Sequence, residues 1–157
     1  MAKLIENNEM KGIQLKEGQT VLDVDGNEYL IKKGDVLQVY GDGRLPSAEE
    51  LNLMYENLHL KGIGRFANDY YWSSSESNSN FAWIQNFDNG NQNDVSKYSS
   101  IRVRTVRTYK SQEEFEIGQE TETGIIFDIQ GSTVFECKKE DEPDLMNWYE
   151  TMRQFRA

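Results

Sequence analysis

Apolar positions along the chain recur with two different periods, and the switches between them mark out its elements. Residues 20–24 and 28–32 are short β-prone runs separated by Asp25-Gly26-Asn27, a turn sequence that predicts a hairpin. Gly34-Asp35 then turns the chain into a third apolar run over 36–40. The period changes at Leu51, Met54, Tyr55 and Leu58, which lie at helical spacing. Directly before them, Ser47-Ala48-Glu49-Glu50 is a capping box, in which a hydroxyl and a carboxylate reciprocally satisfy free amides. Pro46 keeps the chain extended up to the cap, and Gly62 stands where a left-handed residue ends a helix, so the pattern predicts a helix over 48–59.

Large aromatics abut hydroxyls in Tyr70-Tyr71-Trp72-Ser73-Ser74-Ser75-Glu76, which is expected to be a structured loop with its rings turned inward. Residues 81–87 alternate as a strand, with Phe81, Trp83 and Ile84 expected in the core. The polar stretch Asp88-Asn89-Gly90-Asn91-Gln92-Asn93-Asp94 is turn-forming and belongs at the surface. A strand follows over 101–107, then a polar, acidic linker around 110–118. Residues 124–129 and 133–139 flank Gln130-Gly131-Ser132 as a second hairpin. Asp141-Glu142-Pro143-Asp144 supplies a start for a final helix whose apolar face is Leu145, Trp148, Tyr149 and Met152.

Composition narrows the picture further. With 157 residues, 37% hydrophobic and 11% aromatic, the chain can build one principal core with a small annex, and its aromatics argue against disorder. A formal net charge of -10 repels phosphate backbones and anionic lipid, so neither nucleic acid nor a membrane surface is an expected partner. Arg102, Arg104 and Arg107 are the one basic cluster, expected to pair with nearby carboxylates and backbone. The first nine residues contain no apolar run of signal-peptide length, so synthesis in the cytoplasm without a signal peptide is expected.

Several motifs occur in a telling order. Arg44-Leu45-Pro46-Ser47-Ala48-Glu49-Glu50-Leu51-Asn52-Leu53-Met54-Tyr55, then Tyr70-Tyr71-Trp72-Ser73-Ser74-Ser75-Glu76, Ala82-Trp83 and Val103-Arg104-Thr105-Val106-Arg107, resemble the C-terminal domain of bacterial collagen-like adhesins. That family is similar to the C-type lectin, formylglycine-generating and phage major tropism determinant group. The resemblance covers residues 43–109. It implies an α+β, C-type-lectin-like fold with two helices and short antiparallel strands. The family's other half, a glycine-led strand pair and an Asn-Trp-Tyr-Glu helix, ordinarily comes first. Here Gly124-Ile125-Ile126-Phe127 and Met146-Asn147-Trp148-Tyr149-Glu150 come last. The implied organisation is an annex over 1–42 and a lectin-like domain over 43–157, made of 43–109, a linker over 110–123, and 124–157. Two accounts of the inverted order stand open: a circular permutation closed within one chain, or exchange of 119–157 with a neighbouring subunit, which would make a homo-oligomer.

The chemistry on offer is that of recognition. Cys137 is alone, and is read as a half-buried strand residue, so no thiol pair exists for cysteine oxidation or zinc. His59 closes the predicted helix, where it is expected to meet free carbonyls instead of serving a nucleophile. Glu142-Pro143-Asp144 is similar to the sugar-holding triplet of calcium-dependent lectins but precedes a helix, and is read as a cap. Asp88 to Asp94 is oxygen-rich without EF-hand spacing. No enzyme activity, catalytic residue, metal or cofactor is expected. What remains is a set of amides and hydroxyls, Ser77, Asn78, Asn80, Asn89, Asn91, Gln92 and Asn93, expected to form a ligand-binding surface on a scaffold of Tyr71, Trp72, Trp83 and Phe87. The alternative reading of the same residues is that asparagine and serine simply make good exposed turns. The resemblance is compatible with a phage virion protein, a capsid decoration, head-fibre or tail-associated component, whose partners are other virion proteins or a host surface glycan or protein, and the expected lack of a signal peptide favours this reading. A bacterial surface adhesin or glycan-binding module is the alternative.

Overall fold

A computed structural model of the protein describes residues 43–155 in full and, before them, the backbone of four three-residue strands. These are β1 (Lys11–Ile13), β2 (Thr20–Leu22), β3 (Glu28–Leu30) and β4 (Leu37–Val39). β2 and β3 pair antiparallel, as the hairpin reading expects, and β1 pairs with β4. The turns at 25–27 and 34–35 and the N-terminal nine residues lie outside the described residues.

The capping box forms as its residues predict. Ser47 Oγ accepts from the Glu50 amide at 3.1 Å, and Glu50 Oε1 accepts from the Ser47 amide at 2.8 Å. Helix α1 (Ala48–Asn57) starts there, passes into a 3-10 turn at His59–Lys61, and stops at Gly62, whose φ of 74° is the left-handed conformation its position requires. Arg44 clamps the same carboxylate with two bonds of 2.7 Å. Burial raises the Glu50 pKa, but the Arg44 and Ser47 hydrogen bonds outweigh it and leave the carboxyl below its ordinary range.

Two antiparallel sheets flank this helix. A three-stranded sheet runs β5 (Tyr70–Glu76), β6 (Phe81–Asn86), β7 (Gln92–Ser96). A five-stranded sheet has the order β3-β2-β8-β10-β9, with β8 at Val106–Ser111, β9 at Ile125–Gln130 and β10 at Thr133–Cys137. The β9–β10 hairpin turns at Gly131, whose φ is 61°, as its Gln130-Gly131-Ser132 turn predicts. β2 also pairs with β8, so the N-terminal hairpin extends the larger sheet.

One core cluster joins Leu51 and Met54 of α1 and its C-cap Leu58 to Tyr71, Phe87, Ile125, Phe127 and Cys137. A second joins Leu45, Trp72, Ala82, Ile84 and Val103 to Trp148 and Phe155 at the chain end. Residues 124–155 therefore share their interior with residues 43–111 inside a single chain. Burial of this kind contributes about 1.5–3 kcal/mol for each large apolar side chain.

Four expectations are corrected. Residues 70–76 are a strand, not a loop: Tyr71 and Trp72 are adjacent yet both fully buried because this end of the sheet is covered on both faces. The hydroxyls accommodate a register shift between Trp72 and Glu76, with Ser73 Oγ donating to the Trp83 carbonyl at 2.7 Å and Ser75 Oγ accepting from the Ala48 amide at 2.9 Å. In β6, Ile84 is buried as expected, together with Ala82, whereas Phe81 is 40% exposed and Trp83 only half-buried, against the expectation that both rings lie in the core. Within residues 101–107 only bridges form at Ile101 and Arg102, and the regular strand begins at Val106. Finally, Glu142-Pro143-Asp144 caps nothing. That segment runs beside residues 101–103, and α2 (Trp148–Gln154) is capped by Asn147, in a box with Glu150.

Candidate recognition surface

The predicted site residues occupy the turns and edge of the three-stranded sheet, and all seven are exposed. In the β5–β6 turn, Asn78 Oδ1 accepts from the amides of Asn80 at 2.7 Å and Phe81 at 2.9 Å, closing an Asx turn. Ser77 Oγ donates to Asp94 at 2.6 Å. The turn is anchored from below by Lys97, only 3% exposed, whose ammonium donates to Glu76 at 2.7 Å and to the Ser79 carbonyl at 3.0 Å. That ammonium lies 4.3 Å from the centre of the Trp148 ring, and Tyr149 reaches the same Ser79 carbonyl at 3.4 Å. The C-terminal helix thus holds the turn.

The β6–β7 turn is built the same way. Asn86 Oδ1 accepts from the Asp88 amide and Asn89 Oδ1 from the Asn91 amide, each at 2.9 Å. Gln92 donates to the Ala48 carbonyl at 2.8 Å, tying β7 to the start of α1. The side-chain amides of Asn80, Asn91 and Asn93 make no hydrogen bond among the described residues.

The seven residues do not form one patch by themselves. Asn78 and Asn80 lie at the start of β6 and Asn89 and Asn91 beyond its end, so the six residues of the strand separate the turns by about 20 Å. What joins the turns is a sheet face missed in the sequence. Phe81 and Trp83 alternate onto one side of β6, and the register places Ser96 and Asp94 directly opposite them on β7. The signal was present in the alternation of 81–87, but pattern alone does not say which parity is inward. Of the expected scaffold, Tyr71, Trp72 and Phe87 are buried and Trp83 is not.

A second polar cluster ties the halves of the chain together. The Arg104 guanidinium is fully buried and donates to Asp141 at 2.7 Å and to the carbonyls of Gly64, Lys138 and Arg65 at 2.8, 3.0 and 3.2 Å. It also stacks 4.0 Å from the Phe66 ring centre. Asp141 accepts from Tyr71 at 2.8 Å, and Arg102 pairs with Asp69 at 2.9 Å. These arginines pair as expected. All three guanidinium nitrogens of Arg104 donate to internal acceptors, so the cluster is a clamp.

His59 is corrected: its Nε2 lies 2.9 Å from Asn68 Oδ1 and its ring packs among Tyr55, Phe66 and Phe87, away from the helix carbonyls. Cys137 is fully buried, not half-buried, and burial pushes its thiol up to about 12. Among the described residues no group of three or more His, Cys, Asp or Glu side chains is gathered that would hold a metal ion. Two clefts of about 470 and 400 Å³ open elsewhere, the larger beside Gly62, Ile63, Gly64 and Gly118. Neither includes a predicted site residue.

The fold is thus a mixed α+β protein of antiparallel sheets and two helices, with no helix among the described residues long and apolar enough to cross a membrane. Comparison with family models, curated proteins and solved structures finds no match for this chain.

Proposed function

We propose that the chain is a non-catalytic recognition module of a phage virion, a capsid-decoration, head-fibre or tail-associated protein, built on a circularly permuted C-type-lectin-like fold. Its contacts are made by the turns and outer face of β5–β7, toward other virion proteins or a host surface glycan or protein. The observation that carries the recognition role is the contrast between frame and side chains. The turn backbones are pinned by Asx bonds, the buried Lys97 and Tyr149, while the amides of Asn80, Asn91 and Asn93 are unengaged. A pre-ordered frame presenting free donors and acceptors binds with little further ordering cost.

The virion assignment rests on the resemblance of residues 43–109. The permuted order is supported by the shared interior of residues 43–111 and 124–155 within one chain. Mass spectrometry of virus particles purified from lysates of cells carrying the gene at its native locus tests the proposal. The chain is expected among the stoichiometric virion proteins, and its absence from intact particles overturns the assignment.

A further inference from the structure

Helix α1 covers only part of the sheet face above it. It buries Gln85 and Phe87 at the end of β6, Gln85 bonding to Asn52 at 2.9 Å, and leaves the start of the strand uncovered. There Phe81 is 40% exposed and Trp83 half-buried, and neither ring contacts another aromatic or belongs to a core cluster among the described residues. The three tryptophans differ in one further respect. The indole N–H of Trp72 donates to the Met146 carbonyl at 2.8 Å and that of Trp148 to the Ser73 carbonyl at 3.1 Å. The Trp83 N–H has no partner among the described residues, and no polar side-chain atom of the described core is buried without one, so it is open to solvent.

Directly across the ladder from Trp83 stands Asp94, exposed and engaged by the Ser77 hydroxyl at 2.6 Å. Phe81 lies two residues along, roughly 7 Å away by strand geometry, opposite the Ser96 hydroxyl. The face therefore offers two aromatic surfaces, an indole donor, a carboxylate acceptor and flanking hydroxyls, with no cation among Phe81, Trp83, Asp94 and Ser96. A carboxylate beside an aromatic ring suits a ligand with adjacent hydroxyl donors and an apolar C–H face. It disfavours anions, whose charge Asp94 and the overall net charge of -10 would repel.

From this juxtaposition we infer that the Phe81–Trp83–Asp94 face is a binding site for a neutral saccharide, which stacks on Trp83 and donates vicinal hydroxyls to Asp94. The inference rests on the recognition role proposed above and names its ligand class.

The probe is a panel of neutral oligosaccharides, glucans, mannans and galactans, with sialylated and sulfated counterparts, titrated into the full chain labelled with 15N. The three indole N–H resonances report the site directly, because Trp72 and Trp148 are bonded internally and serve as controls. A neutral member is expected to move the Trp83 indole signal alone, with Trp83→Ala weakening binding at least tenfold, Asp94→Asn several-fold, and Trp83→Phe retaining part of it. Retained positions of the Trp72 and Trp148 signals show that each variant is folded. Binding that leaves the Trp83 signal unmoved, or that is confined to anionic members, overturns the site while leaving the recognition role intact. Absence of binding by every member at millimolar concentration overturns the saccharide inference, and particle composition still decides the virion role by itself.

Discussion

Gly124, at the entry to β9, gives the sharpest test of how the C-terminal segment is seated. A Cβ there would stand 2.3 Å from the Cys137 carbonyl oxygen, and 2.6 and 2.8 Å from Cγ and Oε1 of Glu136. The nearest obstacle is backbone, so relief requires β9 and β10 to part by about 0.7 Å to reach even a 3.0 Å contact. Glu136 is fully buried and accepts from Tyr109 at 2.9 Å, Thr121 at 2.9 Å and Thr123 at 2.7 Å. Forced overpacking costs about 1–3 kcal/mol. Loosening one hydrogen bond to this charged group adds about 1.5–3 kcal/mol. Gly124→Ala is thus expected to destabilise by about 2.5–6 kcal/mol, a fall in Tm on the order of 10 °C for a chain of this size. Gly131→Ala is the control. Its φ is 61° but nothing stands near the added carbon, so only the left-handed backbone cost of about 1–2 kcal/mol applies. Urea and thermal unfolding followed by circular dichroism measure both variants. Gly124→Ala no more damaging than Gly131→Ala would refute the reasoning, since steric contact and not backbone angle is what separates them.

Asp141→Asn removes the charge facing the buried Arg104 guanidinium and is expected to cost about 3–5 kcal/mol in urea unfolding; a loss below about 1 kcal/mol would show that the clamp does not join the halves. Burial first, and then the nearby Asp141 and Glu136 charges, raise the Tyr71 and Tyr109 phenols well above the ordinary 10.0. Because their folded pKa values are raised, the stability they contribute is complete below pH 10 and is lost as pH climbs through the folded values. Phenolate absorbance should accordingly show these two tyrosines ionising only with alkaline unfolding; their titration near pH 10 in the native protein would contradict their burial. Cys137, fully buried with its thiol pushed up to about 12, should resist a thiol reagent at pH 8 in the native state and react fully in urea. Rapid native labelling would place β10 at an accessible edge.

Local chemistry was legible wherever neighbours in the chain decide the outcome. The Ser47–Glu50 box, the Gly62 stop and the Gln130-Gly131-Ser132 turn form because their donors, acceptors and backbone angles are satisfied within a few residues. Asn147 and Glu150 carry an equally local cap, which the more conspicuous Pro143 obscured. The aromatic run Tyr70-Tyr71-Trp72 could not be read as a strand from its own pattern. Two adjacent buried rings break the alternation of a sheet with one wet face, and only α1 and the C-terminal segment, arriving from distant parts of the chain, cover both faces.

The candidate site divides along the same line. Its turns were visible as asparagine and serine runs, since Asx bonds are local. The face between them was not, because alternation along 81–87 gives a period without a sign. The length of α1 decided it by covering Gln85 and Phe87 and leaving Phe81 and Trp83 open. Arg104 makes the point in reverse: its sequence context marked it only as a charge to be paired. The convergence of Gly64, Arg65, Lys138 and Asp141 on one guanidinium, from segments about 40 residues to either side, exists only in the folded chain. Short-range bonding was thus written in the sequence, whereas which side of each element is buried depended on long-range packing, which no local stretch encodes.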